Sequence, residues 1–163
     1  MKIHSISLKN LNSLKGEHRV AFNTEPLAGA GLFAITGPTG AGKSTLLDAM
    51  TLALFGRAAR YGNESNPEDV MSRHCGECYA EVVFEVPKGV YRATWSRRRA
   101  RGKFDGKLQD PERAIYDAAG TPLSTQIRDA DAKIESLLGL NYDRFLRSAL
   151  LAQGHLALAE HCA

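Results

Sequence analysis

The chain has 163 residues, of which 44% are hydrophobic and 24% are charged, the balance of a globular domain rather than of a disordered segment. A formal net charge of +3 indicates no class of partner, and three cysteines do not suggest a disulfide framework. No apolar run approaches the roughly 20 residues that span a bilayer, and the first residues lack the apolar core of a signal peptide. We therefore expect one domain, without a membrane role, in the cytoplasm.

Alternation of polar and apolar residues predicts a first strand over "MKIHSISLKNL", then a turn-rich connector and a short second strand at "HRVAF". The run "LFAIT" is apolar throughout and precedes a glycine, which predicts a buried central strand. A helix is predicted to begin near Ser44, because apolar residues then recur at helical spacing, and to end at Gly56 as its C-terminal cap.

The second half of the chain contains further β patterns and one amphipathic helix. "YAEVVFEV" and "VYRATWSR" flank Pro87-Lys88-Gly89, which predicts a β-hairpin. "AIYDAAGTPL" predicts another short strand and a turn. Apolar residues recur at helical spacing from Ile127 to Leu138 and predict a helix that ends at Gly139.

The stretch "GPTGAGKS", residues 37–44, matches the phosphate-loop pattern G-x-x-x-x-G-K-[ST] in full. Its glycines allow the backbone to wrap around an anion, and its amides form an anion-binding nest at the positive end of a helix. Lys43 adds a charge for the outer phosphates, Ser44 can ligate Mg²⁺, and Thr45 can bond a phosphate or cap the helix. Glycine-rich turns also join strands to helices without a ligand, but the flanking strand and helix favour a nucleotide triphosphate. The predicted nucleotide-binding residues are Gly37, Pro38, Thr39, Gly40, Ala41, Gly42, Lys43, Ser44 and Thr45.

Hydrolysis of a triphosphate also requires a carboxylate on the metal and a residue that positions water. An apolar strand that ends in aspartate would supply that carboxylate. Glu85 lies in the middle of its predicted strand, and Asp117 follows only two apolar residues, so neither fits. We therefore expect the metal carboxylate to lie outside this chain.

Three separated stretches, "MKIHSISLKNLNSLKGEHRVAF", "GLFAITGPTGAGKSTLLDAMTLALFG" and "GLNYDRFLRSALLAQG", together resemble the N-terminal ATPase segment of the SbcC family, in the SMC-like branch of the ABC-type ATPases. The resemblance covers Met1 to about Leu158. It implies an α/β fold: the N-terminal lobe of an ABC-type P-loop NTPase, with a mixed and antiparallel sheet around the Walker A helix.

The resemblance also implies a division of the chain. Residues 1–163 would be the N-terminal half of an ABC-type head, with a strand hairpin, the phosphate loop and its helix in 1–56. A β-rich arm with a basic loop would occupy 57–123, and a helix with the Q-loop would occupy 124–154. The coiled coil and the C-terminal half, with the signature motif and Walker B, would be absent from this chain.

Several site residues follow from the resemblance alone. In this family the glutamine of the Q-loop contacts Mg²⁺ and the attacking water, and here that residue is Gln153. Together with the residues of the phosphate-loop motif, this makes Lys43 and Gln153 the catalytic candidates and Ser44 and Gln153 the expected metal ligands. The first strand and turn lie beside the nucleotide in the family, which suggests contacts from Asn10, Asn12 and Ser13; a solvated turn is the alternative for these three.

The implied function is that of an ATPase subunit in DNA double-strand-break repair and recombination, located in the cytoplasm and associated with the nucleoid. ATP and Mg²⁺ would be the cofactors, and ATP binding would draw two heads of a homodimer together over DNA ends. This would gate an SbcD-type metallonuclease subunit. The alternative is a stand-alone nucleotide-binding module, or an inert fragment, without ATP turnover, because Walker B and the signature motif are missing.

Two further motifs have open interpretations. "WSRRRARGKFDGK" is basic and predicts sequence-independent contacts with DNA phosphates through Arg97, Arg98, Arg99, Arg101 and Lys103; a solvated hairpin and loop is the alternative. "HCGEC", residues 74–78, supplies only half of a zinc site, and cysteines that serve a turn and a strand are the favoured interpretation.

Overall fold

The computed structural model describes residues 1–29, 34–61 and 70–149, which build one six-stranded sheet. The strands are β1 (Lys2–Leu11), β2 (Leu14–Ala21), β3 (Glu77–Val86), β4 (Gly89–Arg98), β5 (Glu112–Asp117) and β6 (Pro122–Ser124). Their order across the sheet is β2-β1-β3-β4-β5-β6, and all pairings between these strands are antiparallel. Consecutive strands are thus neighbours in the sheet, except β2 and β3, because β1 lies between them.

Within the described ranges three α-helices accompany the sheet: α1 (Lys43–Phe55), α2 (Ile127–Leu138) and α3 (Tyr142–Ala149). Helix α1 packs against β1, β3 and β4, and its residues from Asp48 to Phe55 are all buried. A helix that is apolar on nearly every side belongs in a core, which explains this position. No helix within the described ranges is long and apolar enough to cross a bilayer.

The sheet has one apolar face and one polar face, because side chains alternate along each strand. In β3, Cys78, Ala80, Val82, Phe84 and Val86 are buried in the core that contains α1. On the opposite face the Tyr79 hydroxyl donates a hydrogen bond of 2.6 Å to Glu81 Oε2. This alternation fixes the register of the sheet, since a shift by one residue would expose the core face.

The C-terminal end of α1 is held by a buried arginine from β5. The Arg113 guanidinium donates to the Leu54 carbonyl oxygen at 2.6 Å and also to the Asp131 carboxylate on α2. Gly56 follows α1 in the left-handed conformation, with φ +70°, as the predicted cap. One side chain therefore joins α1, α2 and β5.

The predicted first strand, the β3–β4 hairpin, the strand and turn of β5–β6, and the helix that ends at Gly139 are confirmed. The second strand begins earlier than predicted, at Leu14. The strand predicted at "LFAIT" is wrong for residues 34–36, which lie in no strand, and Ile35 is 41% exposed. An apolar run becomes a strand only where a neighbour supplies ladder hydrogen bonds, and no described strand pairs with this segment. The first two residues of the run, Leu32 and Phe33, lie outside the described residues.

Candidate nucleotide-binding site

The phosphate loop adopts backbone angles that favour glycine. Gly37, Gly40 and Gly42 have φ values of +151°, +85° and +87°, which L-residues rarely adopt. Gly42 has a second constraint, because a Cβ at this position would lie 2.7–2.9 Å from the side-chain carbons of Leu14. The glycines of the motif thus meet a steric requirement of this fold as well as matching a pattern.

Helix α1 begins at Lys43 with Gly42 as its N-cap, and no side chain caps it. The alternative role of Thr45 as a helix cap is therefore wrong. In the part of the chain that the structure describes, the backbone N–H groups of Gly40, Gly42, Lys43 and Ser44 donate to no protein acceptor. Unpaired amides at the positive end of a helix are suited to bind an anion.

The Thr45 hydroxyl is buried and lacks a hydrogen-bond partner among the described residues. Buried hydroxyls are normally hydrogen-bonded, because an unpaired one costs about 1–3 kcal/mol. Its partner would have to come from a ligand or from residues outside the described ranges. This unpaired hydroxyl fits the predicted contact between Thr45 and a phosphate.

The ammonium of Lys43 folds back over the loop that precedes it. Its Nζ donates to the carbonyl oxygens of Gly37 at 2.7 Å and Pro38 at 2.8 Å. An ammonium has three donors, so one remains for an anion. The lysine is thus pre-positioned beside the free amides by contacts of its own loop.

The β1–β2 turn is fastened to α1 through Asp48, a residue that the sequence patterns did not reveal. Asn12, with φ +48°, donates from Nδ2 to Asp48 Oδ2 at 3.0 Å. The Arg60 backbone N–H donates to Asp48 Oδ1 at 3.0 Å, and its guanidinium lies 3.3 Å from Oδ2. Asp48 is 1% exposed, and this burial raises the pKa of its carboxyl despite the hydrogen bonds and the charge of Arg60.

The three candidates in this turn have different surroundings. Asn10 has φ +51°, donates to the Glu77 carbonyl oxygen at 3.1 Å and accepts from the Gly16 N–H at 2.8 Å. Its amide is therefore used by the fold, as is that of Asn12. Ser13 is exposed and lies in the turn just before Leu14, which contacts Gly42. Of the three side chains, that of Ser13 is the most available to a ligand.

An open groove of about 510 Å³ runs beside the phosphate loop. One wall comes from β2 and the other from residues 35–36 and the start of α1. Apolar side chains from both walls line it: Leu14, Val20, Ile35 and Leu46. Charged and polar side chains of β2, namely Glu17, His18 and Arg19, also line it, together with Lys43. A groove of mixed apolar and polar lining with a lysine beside it suits a flat, partly apolar group attached to phosphates.

Of the two predicted Mg²⁺ ligands, one lies within the described residues. Ser44 is exposed in the first turn of α1, whereas Gln153 lies outside the described residues. Helix α3, which precedes Gln153, packs on the end of α1, with the Phe145 ring 5.1 Å and the Tyr142 ring 5.7 Å from the ring of Phe55. No group of three or more candidate metal-ligating side chains occurs within the described ranges.

The two cysteines of "HCGEC", the segment that supplies half of a zinc site, have buried thiols. Cys75 and Cys78 are both buried and free, and burial raises the pKa of Cys78 to about 12. Zinc binds the thiolate, which this environment disfavours. Cys78 lies in β3 and Cys75 just before that strand, which fits the interpretation of cysteines that serve a turn and a strand.

The structure divides the basic cluster into two groups. Arg97 and Arg99 donate to the carbonyl oxygens of Gln109 and Gly106, and Arg98 donates to the side chains of Gln109 and Glu112. Arg101 and Lys103 are exposed and make no hydrogen bond or ion pair with another described residue through their side chains. The first group builds the loop, and the second is available to a partner.

The sequence is similar to known proteins along nearly its whole length. The profile of the AAA domain family matches residues 5–160. The chain is 43% identical over 175 residues to the SbcC component of the nuclease SbcCD from Pseudomonas aeruginosa, and 44% identical over 172 residues to that from Rhodobacter capsulatus. These alignments cover 96% and 94% of this chain, and in each case 14% of the relative.

A more distant relative has a name that mentions DNA repair. The chain is 31% identical over 122 residues to "Probable DNA double-strand break repair Rad50 ATPase" of Aquifex aeolicus, an alignment that covers 75% of this chain and 12% of that protein. The chain thus spans about a seventh of the length of the first relatives that it matches.

Proposed function

Because the chain belongs to the AAA domain family, we propose that it binds ATP as part of a DNA-repair ATPase. The family match confirms the predicted α/β P-loop fold, and the similarity to SbcC proteins confirms the predicted resemblance. The observation that carries the proposal is the phosphate loop at the start of α1. Four of its amides and one donor of Lys43 have no acceptor among the described residues.

The residues present fit a nucleotide triphosphate. The amides of Gly40, Gly42, Lys43 and Ser44 and the Lys43 ammonium would hold the phosphates. The groove beside β2 would hold the base and ribose. Ser44 would give Mg²⁺ one oxygen ligand and Gln153 a second. When bound, Mg²⁺ would neutralise part of the phosphate charge.

The wider function rests on the names of the relatives. A nuclease component and a double-strand break repair ATPase are among them. We propose that residues 1–163 are the N-terminal half of an ATPase head, with the divisions at residues 56 and 123 that the resemblance implies, in a cytoplasmic, nucleoid-associated complex. ATP binding would join two heads over DNA ends and gate an SbcD-type nuclease, with Lys43 and Gln153 acting on the triphosphate.

One observation favours the second candidate, a module that binds ATP without turnover. Asp48 is the buried carboxylate on the phosphate-loop helix, and both of its oxygens are bonded by Asn12 and Arg60. It is thus occupied and does not take the role of a metal carboxylate. Turnover by this chain alone would need a carboxylate other than Asp48.

Thermal melting with and without Mg²⁺-ATP tests the proposal. Ligand at a hundredfold excess over Kd adds about 2.7 kcal/mol to the free energy of unfolding, which raises Tm by about 5–10 °C for a domain of this size. Lys43→Ala should abolish the shift, whereas Lys88→Ala, at an exposed lysine in the β3–β4 turn, should preserve it. Equal shifts for the two variants would contradict the proposed site.

Phosphate release measured on the same samples separates the two candidates. If the wild-type chain releases phosphate faster than Lys43→Ala does, the chain hydrolyses ATP. A Tm shift without release would favour the module that only binds.

A further inference from the structure

The tip of the β4–β5 connection presents an exposed aromatic side chain. Phe104 is 60% exposed, the largest exposed fraction among the large hydrophobic residues of the described ranges. Its ring lies 5.8 Å from the His74 ring in an edge-to-face arrangement with an interplanar angle of 67°. Single exposed apolar residues are common on protein surfaces, so the surroundings must decide whether this one has a role.

The charge around Phe104 is strongly positive. Arg73, Arg101, Lys103 and Lys107 are exposed, and none of them makes an ion pair or hydrogen bond with another described residue through its side chain. Asp105 is the one acidic residue between Arg97 and Lys107. A surface that combines these four cations with an exposed ring suits a polyanion that also carries flat apolar groups.

The loop that carries this surface is built to hold its shape. The Ala100 N–H donates to the Lys107 carbonyl oxygen at 2.9 Å, and the Arg99 guanidinium donates to the Gly106 carbonyl oxygen at 3.2 Å. Gly76 and Gly102 touch through their backbones, since a Cβ at Gly76 would lie 1.9 Å from the Gly102 carbonyl oxygen. The loop is thus closed on itself and packed against the segment that carries His74.

Two residues of this surface have backbone angles that are costly for side chains other than glycine. His74 and Arg101 have φ values of +63° and +58°. Such conformations cost of order 1–2 kcal/mol and persist only where the surrounding structure holds them. A rigid scaffold that keeps an aromatic ring and cations exposed loses little entropy on binding.

We propose that His74, Phe104 and the cations around them bind single-stranded DNA, with an unpaired base stacked on the Phe104 ring. This rests on the proposed function in a DNA-repair ATPase and deepens it. The phosphates would contact Arg73, Arg101, Lys103 and Lys107, and stacking would be tolerant of sequence because every base has a π-face. A duplex keeps its bases stacked inside, so it would use the cations but not the ring.

Two probes of equal phosphate number test the proposal: a 20-nucleotide oligo-dT and a 20-unit abasic oligonucleotide, each labelled at the 3′ end. Fluorescence anisotropy with the full 163-residue chain should give about 5-fold to 100-fold tighter binding of oligo-dT. Phe104→Ala should remove this preference, and Phe104→Tyr should retain it. Leu123→Ala, at another exposed apolar residue, is the matched control and should retain it.

The cations have a separate readout. Lys103→Ala should weaken binding of both probes by a similar factor and reduce the salt dependence of Kd, because it removes one phosphate contact. Equal affinity of the wild type for both probes, or an unchanged preference in Phe104→Ala, would overturn the proposal. Self-association that is lost in Phe104→Ala, with unchanged affinity for DNA, would also overturn it, since the ring would then serve a protein interface.

Failure of this proposal can be distinguished from failure of the proposed function. The Tm shift with Mg²⁺-ATP depends on the phosphate loop and not on the side chains of the proposed stacking surface, residues 73–74 and 101–107. A chain that shows the shift but no preference for bases retains its proposed nucleotide site and lacks the stacking site.

Discussion

The contact between Gly42 and Leu14 offers a sharp test of how the nucleotide site is built. In Gly42→Ala the new Cβ would meet the Leu14 side chain at 2.7–2.9 Å, closer than real Cβ contacts allow. The backbone angle of φ +87° is also unfavourable for alanine. Two separate costs therefore act at this position.

Both costs can be estimated. The left-handed conformation costs about 1–2 kcal/mol for a residue with a Cβ, and forced overlap with the partly buried Leu14 side chain costs about 1–3 kcal/mol. Together they lower the free energy of unfolding by about 2–5 kcal/mol. Gly40 provides the matched control, because it has φ +85° and nothing within 4 Å of its Cβ position. Gly40→Ala should therefore show the first cost alone.

Urea denaturation of the two variants measures the difference directly. Gly42→Ala should be less stable than Gly40→Ala by about 1–3 kcal/mol. In a Leu14→Ala background the additional cost at Gly42 should disappear, because the overlapping atoms are gone. Equal stability of the two glycine variants within about 0.5 kcal/mol would refute the idea that the β1–β2 turn presses on the phosphate loop.

Two further predictions concern buried ionisable groups. Burial raises the pKa of the Asp48 carboxyl above its ordinary 3.8, so the folded state favours the protonated form. The wild type should therefore lose stability relative to Asp48→Asn as pH rises from about 3.8 through the pKa of the folded state. Urea denaturation from about pH 3.5 to 7 measures this, and a difference that is constant or of opposite sign would contradict it. The pKa of Cys78, raised from 9.0 to about 12, predicts alkylation by iodoacetamide at about pH 8 to be about 1,000-fold slower than in the unfolded chain. Mass spectrometry of the peptide that contains residue 78 gives both rates, and rates within about tenfold would show that the thiol is accessible.

Local patterns were sufficient for much of this fold. Strands β1, β3 and β4 show clear alternation, and Gly56 and Gly139 end their helices in the left-handed conformation that favours glycine. The phosphate loop could be predicted because the residues that define it are contiguous in the sequence. A feature of this kind can be recognised in a single sequence.

Features that depend on distant partners were missed or predicted wrongly. Asp48 lies on an apolar helix, and its partners Asn12 and Arg60 are 36 and 12 residues away along the chain. Residues 34–36 have a strand composition, but strand formation requires a paired neighbour that no local pattern reveals. An unexpected acid on an otherwise apolar helix is the signal that could have identified Asp48.

The division of the arginines also required the three-dimensional structure. Arg97 and Arg101 are equivalent members of one basic run in the sequence. Arg97 donates to the Gln109 carbonyl oxygen, whereas Arg101 is exposed at the tip of the loop. A charge run shows where cations are concentrated, and only the fold shows which of them are already bonded.

We propose that residues 37–45 form a phosphate-binding site that is already organised in this chain. Isothermal titration calorimetry of Mg²⁺-ATP into the wild-type chain and into Lys43→Ala, with Lys88→Ala as control, tests it most directly. Saturable binding with one site in the wild type and Lys88→Ala, weakened at least about tenfold in Lys43→Ala, is the predicted result. Absence of binding to a folded wild-type chain, or equal binding to all three, would contradict the claim.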